Sequence, residues 1–291
     1  MPTGSVDISI IIVTFNSAAT IGGCLSNLSG AVNSLLYEII VVDNTSTDDT
    51  LKIIESKSRD ANVIRNTRNE GFGAACNKGV TEAHGEFILL VNPDARLDEG
   101  SIPALVKAAR QTPNCGFAVP RLRFPSGEFQ ASCRQLPTTA NMIFSRGSAL
   151  TRIFQSDKSR GSRYTLPDFE GTTVVPAVAA TVALVKRETY TSHQGFDPRF
   201  FMYMEDTDLC ARLGQSGFVH LFVPTAGAVH EWGKGSSAGS VVRLARHHLS
   251  VWKYFLKHFP NGFSVIVLPF LLVANLLVAL LLILLRGRGS R

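Results

Sequence analysis

The sequence predicts an α/β domain on a mostly parallel central sheet, followed by an amphipathic helix and a membrane-embedded helix. Three observations carry this. Short β-branched runs alternate with helical patterns over the first hundred residues, as βαβ units require. Acidic and amide side chains collect where those runs end, which in parallel sheets is where ligands bind. Between positions 263 and 285 only Ser264, Pro269 and Asn275 interrupt an apolar run. As a helix that run would span roughly 34 Å, against a bilayer core of about 30 Å.

Residues 8–13 form a nearly continuous β-branched run, expected of a strand covered on both faces. It ends at Thr14-Phe15-Asn16-Ser17, where Asn16 or Ser17 is suited to cap the next helix. A second strand, 38–42, closes on Asp43-Asn44, and a helix follows from about 48 to 57. Residues 61–65 read as a shorter third strand. Asn69-Glu70-Gly71-Phe72-Gly73 leads into another helix, and a fourth strand, 87–91, ends at Asn92-Pro93-Asp94. Thr14, Phe15, Asn16, Asp43, Asn92 and Asp94 thus converge beyond the strand ends, as in a nucleotide pocket. Asp43 serves there either as a loop cap or as an acceptor for a base or ribose; Phe15 is either core or a stacking surface. Gly71-Phe72-Gly73 is no G-x-G-x-x-G after a strand, so it marks no dinucleotide site. The single carboxylate of Asp94 suits a divalent cation that bridges two phosphates and keeps its waters.

Residues 117–195 are expected to build an acceptor half, with small residues at 176–185 entering a buried strand. Residues 147–168 are polar and weakly patterned, as in a loop. Glu205, Asp206 and Asp208 then stand directly behind five bulky, mostly apolar positions. Leu209 and Leu213 recur at helical spacing, so these acids open a helix with one buried face, and Asp206 is a good N-cap. A charged helix start is the bland explanation. The chemical one is a carboxylate partly desolvated by Met202, Tyr203 and Met204, which suits a general base.

Residues 241–259 place Val241, Leu244, Ala245, Leu249, Trp252, Phe255, Leu256 and Phe259 on one helical face. A basic helix with such a face either lies in a membrane interface or packs on the catalytic domain. Pro260-Asn261-Gly262 breaks the chain before the apolar run. Hydrophobic residues make up 45% of the chain and charged ones 18%, and the apolar run explains most of that excess. The net charge of +6 is concentrated near the C-terminus, where it indicates anionic lipid and no nucleic acid. The polar start, residues 1–7, does not resemble a signal peptide. The 5 cysteines show no C-x-x-C spacing and read as reduced thiols of a cytoplasmic domain.

The ordered set Ile11 to Asn16, Val41-Val42-Asp43-Asn44, Asn69-x-Gly71-Phe72-Gly73, Asn92-Pro93-Asp94 and the 200–212 stretch resembles the family-two inverting glycosyltransferases of GT-A fold. The resemblance covers about residues 7–230. Within that family the 200–206 run, Ser132-Cys133-Arg134-Gln135-Leu136-Pro137 and His247-His248 resemble the bacterial rhamnosyltransferases that act on polyprenyl-diphosphate-linked N-acetylglucosamine. The resemblance implies that Thr14, Phe15, Asn16, Asp43, Asn69, Gly71, Asn92 and Asp94 hold the nucleotide sugar. It makes Asp206 the general base with Glu205 beside it, and Asp94 and His230 ligands of Mg²⁺ or Mn²⁺. The family's metal motif commonly reads Asp-x-Asp; here its first position is Asn92, which lowers the charge of the site. No Gln-x-x-Arg-Trp occurs, so one sugar per encounter is expected.

The expected organisation is a catalytic domain over 1–240, with a nucleotide half to about 115 and an acceptor half from about 116. An interfacial helix at 241–262, a membrane segment at 263–285 and a basic tail at 286–291 follow. The implied donor is dTDP-rhamnose, the acceptor a lipid-linked sugar, and the place the bacterial inner (plasma) membrane with the catalytic domain facing the cytoplasm. Transfer of galactofuranose or a hexose, and an inactive scaffold of the same fold, are the rival expectations.

Overall fold

Strand β1 (Ile8–Thr14) lies inside the sheet, and all seven of its residues are buried. Ile8, Ile10 and Ile12 face one core while Ile11 and Val13 face the other. That is why the run is continuous rather than alternating. Strands β2 (Tyr37–Asp43) and β4 (Phe87–Val91) flank it in parallel, and β3 (Asn62–Arg65) adds in parallel to β2. The connecting helices are α1 (Ile21–Val32), α2 (Thr50–Lys57) and α3 (Phe72–Thr81). The structure is a computed structural model that describes residues 6–138, 165–231 and 240–288, without the side chains of 240, 263–264 and 279–288.

The second half departs from the parallel pattern. After β5 (Ala95–Leu97) and α4 (Ser101–Gln111) come β6 (Cys115–Arg123), β7 (Phe129–Gln130) and β8 (Cys133–Arg134). Then follow β9 (Thr173–Val175), β10 (Ala177–Val178) and β11 (Val182–Lys186). The main sheet runs β3-β2-β1-β4-β11-β6 and then, through β12 (Val219–His230), to β5. Strand β11 is antiparallel to both β4 and β6, whereas β12 runs parallel to β6. The sheet is therefore mixed, not mostly parallel. Strand β11 enters straight from the β10 turn without a crossover helix, so it arrives in the opposite direction. Most of the expected loop at 147–168 lies outside the described residues.

Helices start later than the cap signals suggest. Helix α1 begins at Ile21 with Thr20 at its N-cap and no side-chain cap, so Asn16 and Ser17 do not cap it through their side chains. After α5 (Arg187–Ser192), α6 (Glu205–Gln215) begins behind Met204, whose φ of 68° is left-handed. Asp206 is thus the second residue of α6 and not its N-cap.

Helix α7 (Ser240–His258) packs on this framework. Val251, Tyr254 and Phe255 are buried with Phe200, Met204 and Ala211 in a third core, each worth about 1.5–3 kcal/mol. The expected apolar face is therefore rotated: Leu249 and Leu256 point outward. Polar groups on the inward side explain the shift. Lys257 Nζ lies 2.7 Å from Asp197 and from Asp208, and His258 Nε2 is 2.8 Å from Asp208. Lys253 donates to the Arg199 carbonyl at 2.7 Å. Lys253 and Lys257, part of the C-terminal positive charge expected at lipid, are thus engaged by the protein itself.

Helix α8 (Phe263–Arg288) contains the expected membrane segment. Among the described residues, however, no helix is long and apolar enough to cross a membrane. The described part of α8 folds back on α7: Leu268 is buried and Asn275 Nδ2 is 2.9 Å from His248 Nε2. Ile266, Phe270, Val273 and Leu277 remain exposed.

Asp208 is fully buried, yet hydrogen bonds from His258 and Lys257 and the Arg212 charge outweigh burial and hold its carboxyl below the usual range. Burial is likewise overcome at Asp197, by Arg199 and Lys257, and its carboxyl is held well below that range. Such groups stabilise the fold above the unfolded carboxyl value of about 4, and the contribution is lost as pH falls below it. Lys257→Met should cost on the order of 2–3 kcal/mol at pH 7, less than a wholly unpaired buried charge because Arg212 and His258 remain. Denaturant unfolding at pH 7 and pH 3 checks this: the deficit should shrink in acid, and an equal loss at both pH values would point to packing alone.

Candidate active site

The ends of β1 and β2 are knitted together by the residues expected there. Thr14 Oγ1 donates to Asp43 Oδ1 at 2.9 Å, and Ser46 donates its backbone N–H to Oδ2 at 2.9 Å and its hydroxyl to Oδ1 at 2.6 Å. Asn16, with φ of 52°, donates its N–H to Ser46 Oγ and accepts the Thr47 N–H. Asp43 is buried, and three of a carboxylate's roughly four acceptor positions are occupied. In this structure it caps the loop. Phe15 sits half-buried beside it.

Asn69 and Gly71 have a docking role. Asn69 Oδ1 accepts the Gly71 N–H at 3.0 Å, and Asn44 Nδ2 donates to the Gly71 carbonyl at 3.1 Å. Gly71 has φ of 87°, and a Cβ there would lie 2.1 Å from the Phe201 carbonyl oxygen. The Phe72 N–H donates to that same oxygen at 3.0 Å. Glycine is thus required where the nucleotide-side loop meets the turn that precedes α6.

Asp94 and His230 come from the β4–β5 turn and the end of β12, and the pairing of β5 with β12 brings them together. His230 Nε2 lies 3.3 Å from Asp94 Oδ1, both side chains being buried. His230 Nδ1 is 2.8 Å from Gln130 Oε1. With an oxygen opposite, Nδ1 is the donor and Nε2 presents a lone pair in the neutral ring. Two ligands at right angles on a small divalent cation with bonds of about 2.1 Å stand about 3 Å apart, so the pair fits. Among the described residues no group of three or more such ligands occurs, and the remaining positions would fall to phosphate oxygens and water. Trp232 to Ser236 lie outside the described residues.

Glu205 and Asp206 diverge. Asp206 Oδ2 accepts Arg134 Nη2 at 3.0 Å and the Ala180 N–H at 3.3 Å, while Oδ1 accepts the Thr207 N–H at 2.6 Å. Glu205 turns toward α3, where Gly73 leaves room: a Cβ there would lie 3.4 Å from the Glu205 Cβ. Burial first, and the Asp206 charge second, raise its carboxyl well above the ordinary range. Glu205 Oε2 is buried without a partner among the described residues. Asp206 thus takes its hydrogen bonds from a guanidinium and backbone amides, whereas Glu205 is a buried acid that favours its neutral form.

One turn joins the two clusters. The Ala180 N–H reaches Asp206, while the carbonyl of Thr181 accepts the Asn92 N–H at 2.8 Å. His247, from α7, lies by Tyr203 with ring centroids 5.6 Å apart. Burial pushes it down to about 4, aided by His248 and Arg134. A base beside a carboxylate–imidazole cation site can deprotonate a hydroxyl while a diphosphate is held. Gln130 carries no sequence signal; Ala180, Thr181, Arg134 and His247 stand in segments the sequence singles out, without a role for the individual residues.

Comparison with known proteins matches residues 9–188 to the family described as Glycosyl transferase family 2. The N-acetylglucosaminyl-diphospho-decaprenol L-rhamnosyltransferase of Mycobacterium tuberculosis is 28% identical over 255 residues, 84% of this chain and 82% of the relative. The dolichol-phosphate mannosyltransferase of Pyrococcus furiosus is 31% identical over 105 residues, 35% of this chain and 30% of that protein. Among solved structures, GalNAc-T7 with UDP, GalNAc and Mn²⁺ aligns with a TM-score of 0.61 at 16% identity, covering 87% of this chain but only 48% of that one. The mannosyltransferase PcManGT from Pyrobaculum calidifontis, with GDP-Man and Mn²⁺, gives 0.59 at 18% identity, covering 94% and 71%. The structural likenesses establish the GT-A fold.

A carboxyl raised above its unfolded value keeps a proton on folding, so stability falls as pH climbs above the unfolded value of about 4.3. Glu205→Gln should therefore flatten the decline in thermal midpoint between about pH 5 and pH 8. A decline as steep as in the native protein would show that Glu205 is charged when folded.

Proposed function

The chain belongs to glycosyl transferase family 2, and from that premise we propose that it moves rhamnose from dTDP-rhamnose to a polyprenyl-diphosphate-linked N-acetylglucosamine. The observation that carries the chemistry is the Asp206 carboxylate, fixed by Arg134 and the Ala180 N–H on a turn that also holds Asn92. Asp206 accepts the proton of the acceptor hydroxyl as that oxygen attacks the anomeric carbon, and the configuration inverts because one displacement occurs. Asp94 and His230 would hold Mg²⁺ or Mn²⁺, which when bound offsets the charge of the departing diphosphate. Gln130 keeps the His230 Nε2 lone pair directed at that position. Glu205, turned toward α3 with its carboxyl raised by burial, does not share the proton.

The substrates are supported by the likeness to the mycobacterial enzyme across most of both chains. A 6-deoxy sugar presents a methyl group in place of a hydroxymethyl, and one such apolar contact is worth about 1–3 kcal/mol. Related hexoses should thus be poor donors, not excluded ones. Membrane association is supported by a surface of described apolar side chains, among them Leu249, Phe259, Ile266 and Phe270. It would lie on the cytoplasmic leaflet, where nucleotide sugars are.

The test is to offer labelled dTDP-rhamnose, UDP-galactofuranose and GDP-mannose separately with the lipid acceptor. Product from dTDP-rhamnose is expected to dominate, and Asp206→Asn should lower kcat at least about a hundredfold with donor affinity retained. Product from either other donor, with none from dTDP-rhamnose, would discard the sugar and leave the family standing.

A further inference from the structure

Helix α7 divides its basic residues between two uses. Lys253 and Lys257, in its C-terminal half, are engaged by Arg199, Asp197 and Asp208. Arg243 and Arg246, in its N-terminal half, pair with no carboxylate among the described residues. With His247 they fall at i, i+3 and i+4, on one face of the helix. That face meets the turn before the base. The Arg246 guanidinium lies over the Phe201 ring, 4.4 Å from its centroid, and His247 lies against Tyr203. The charges of both Arg243 and Arg246 reach the Tyr203 phenol. Ser250 fixes the register by donating to the Met202 carbonyl at 2.8 Å. Two cations with no carboxylate partner among the described residues therefore stand beside a turn that ends three residues later in Asp206.

We propose that Arg243, Arg246 and the Tyr203 hydroxyl form the subsite for the diphosphate of the lipid-linked acceptor. The inference rests on the acceptor proposed above and adds how it is held. In that acceptor the diphosphate sits one pyranose ring from the hydroxyls that Asp206 could deprotonate. Guanidinium groups match phosphate oxygens in geometry and charge. The lipid beyond the diphosphate then leaves along the outward face of α7, where Val242 and Leu249 are exposed. Arg134 has the separate task of holding the base.

The experiment compares two acceptors, a short-chain lipid diphosphate N-acetylglucosamine and octyl β-N-acetylglucosaminide, which has no phosphate. For the native enzyme kcat/KM should favour the first at least tenfold. In Arg243→Gln/Arg246→Gln that preference should collapse through a tenfold or greater rise in KM for the diphosphate acceptor, with kcat and donor KM within about threefold. Arg243→Lys/Arg246→Lys should restore most of it. Should the Gln pair fail to fold, farnesyl diphosphate against farnesol as inhibitors of the native enzyme decides the matter: only the diphosphate should compete with the acceptor. A native enzyme that uses both acceptors equally, or a Gln pair that raises donor KM instead, would overturn the subsite while leaving the proposed function intact. A native enzyme that transfers rhamnose to neither acceptor would overturn both.

Discussion

The structure depends on how the Asp206 carboxylate is held. Its two oxygens gather partners from β8, from the β10–β11 turn and from its own helix. A carboxylate in a buried setting is expensive unless charge and hydrogen bonds offset the loss of water. Arg134 supplies the charge, and two backbone amides and the Thr207 hydroxyl supply the rest. The Ala180 contact also fixes distance: Thr181, its neighbour, holds the Asn92 turn, so the proposed base and the proposed cation pair are set by one short stretch of chain. The proposed reaction needs that coupling, because proton removal and departure of the diphosphate belong to the same displacement.

Holding Asp206 requires an unusual turn before it. Tyr203 and Met204 both have positive φ, 69° and 68°, costing roughly 1–2 kcal/mol each for residues with a side chain. Helix α7 offsets that cost. Phe200 and Met204 are buried against Val251, Tyr254 and Phe255, and Ser250 holds the Met202 carbonyl. The Asp208–Lys257–His258 cluster then fixes α7 to α6 on the far side of the helix from Asp206. A helix that looks like a membrane appendage is in this respect part of the catalytic domain.

Much of this was legible in the sequence where a single physical rule dominates. Strands covered on both faces leave continuous β-branched runs, so β1, β2 and β4 were readable to within a residue or two. The ends of those strands located Thr14, Asp43 and Asp94, and the apolar approach to Asp206 marked it out. The rest depended on partners distant in the chain. Asp43 reads equally as ligand or cap until Ser46 and Thr14 are seen on its carboxylate. Glu205 and Asp206 look alike as neighbours, yet one turns toward Gly73 and the other toward Arg134. The buried face of α7 differs from the one its apolar spacing predicts because Lys257 and His258 point inward to acids some fifty and sixty positions away in sequence, which no hydrophobic period encodes. Gln130 carries no pattern; only the pairing of β6 with β7 and β12 brings it to His230.

The central claim is a single in-line displacement with Asp206 as the base, and the stereochemistry of the product tests it most directly. The anomeric configuration of rhamnose in the purified product can be read by NMR against that of the donor. From β-linked dTDP-rhamnose the account predicts an α-linked rhamnosyl product. A β-linked product would require two displacements through a protein-bound sugar, and would contradict the role given to Asp206.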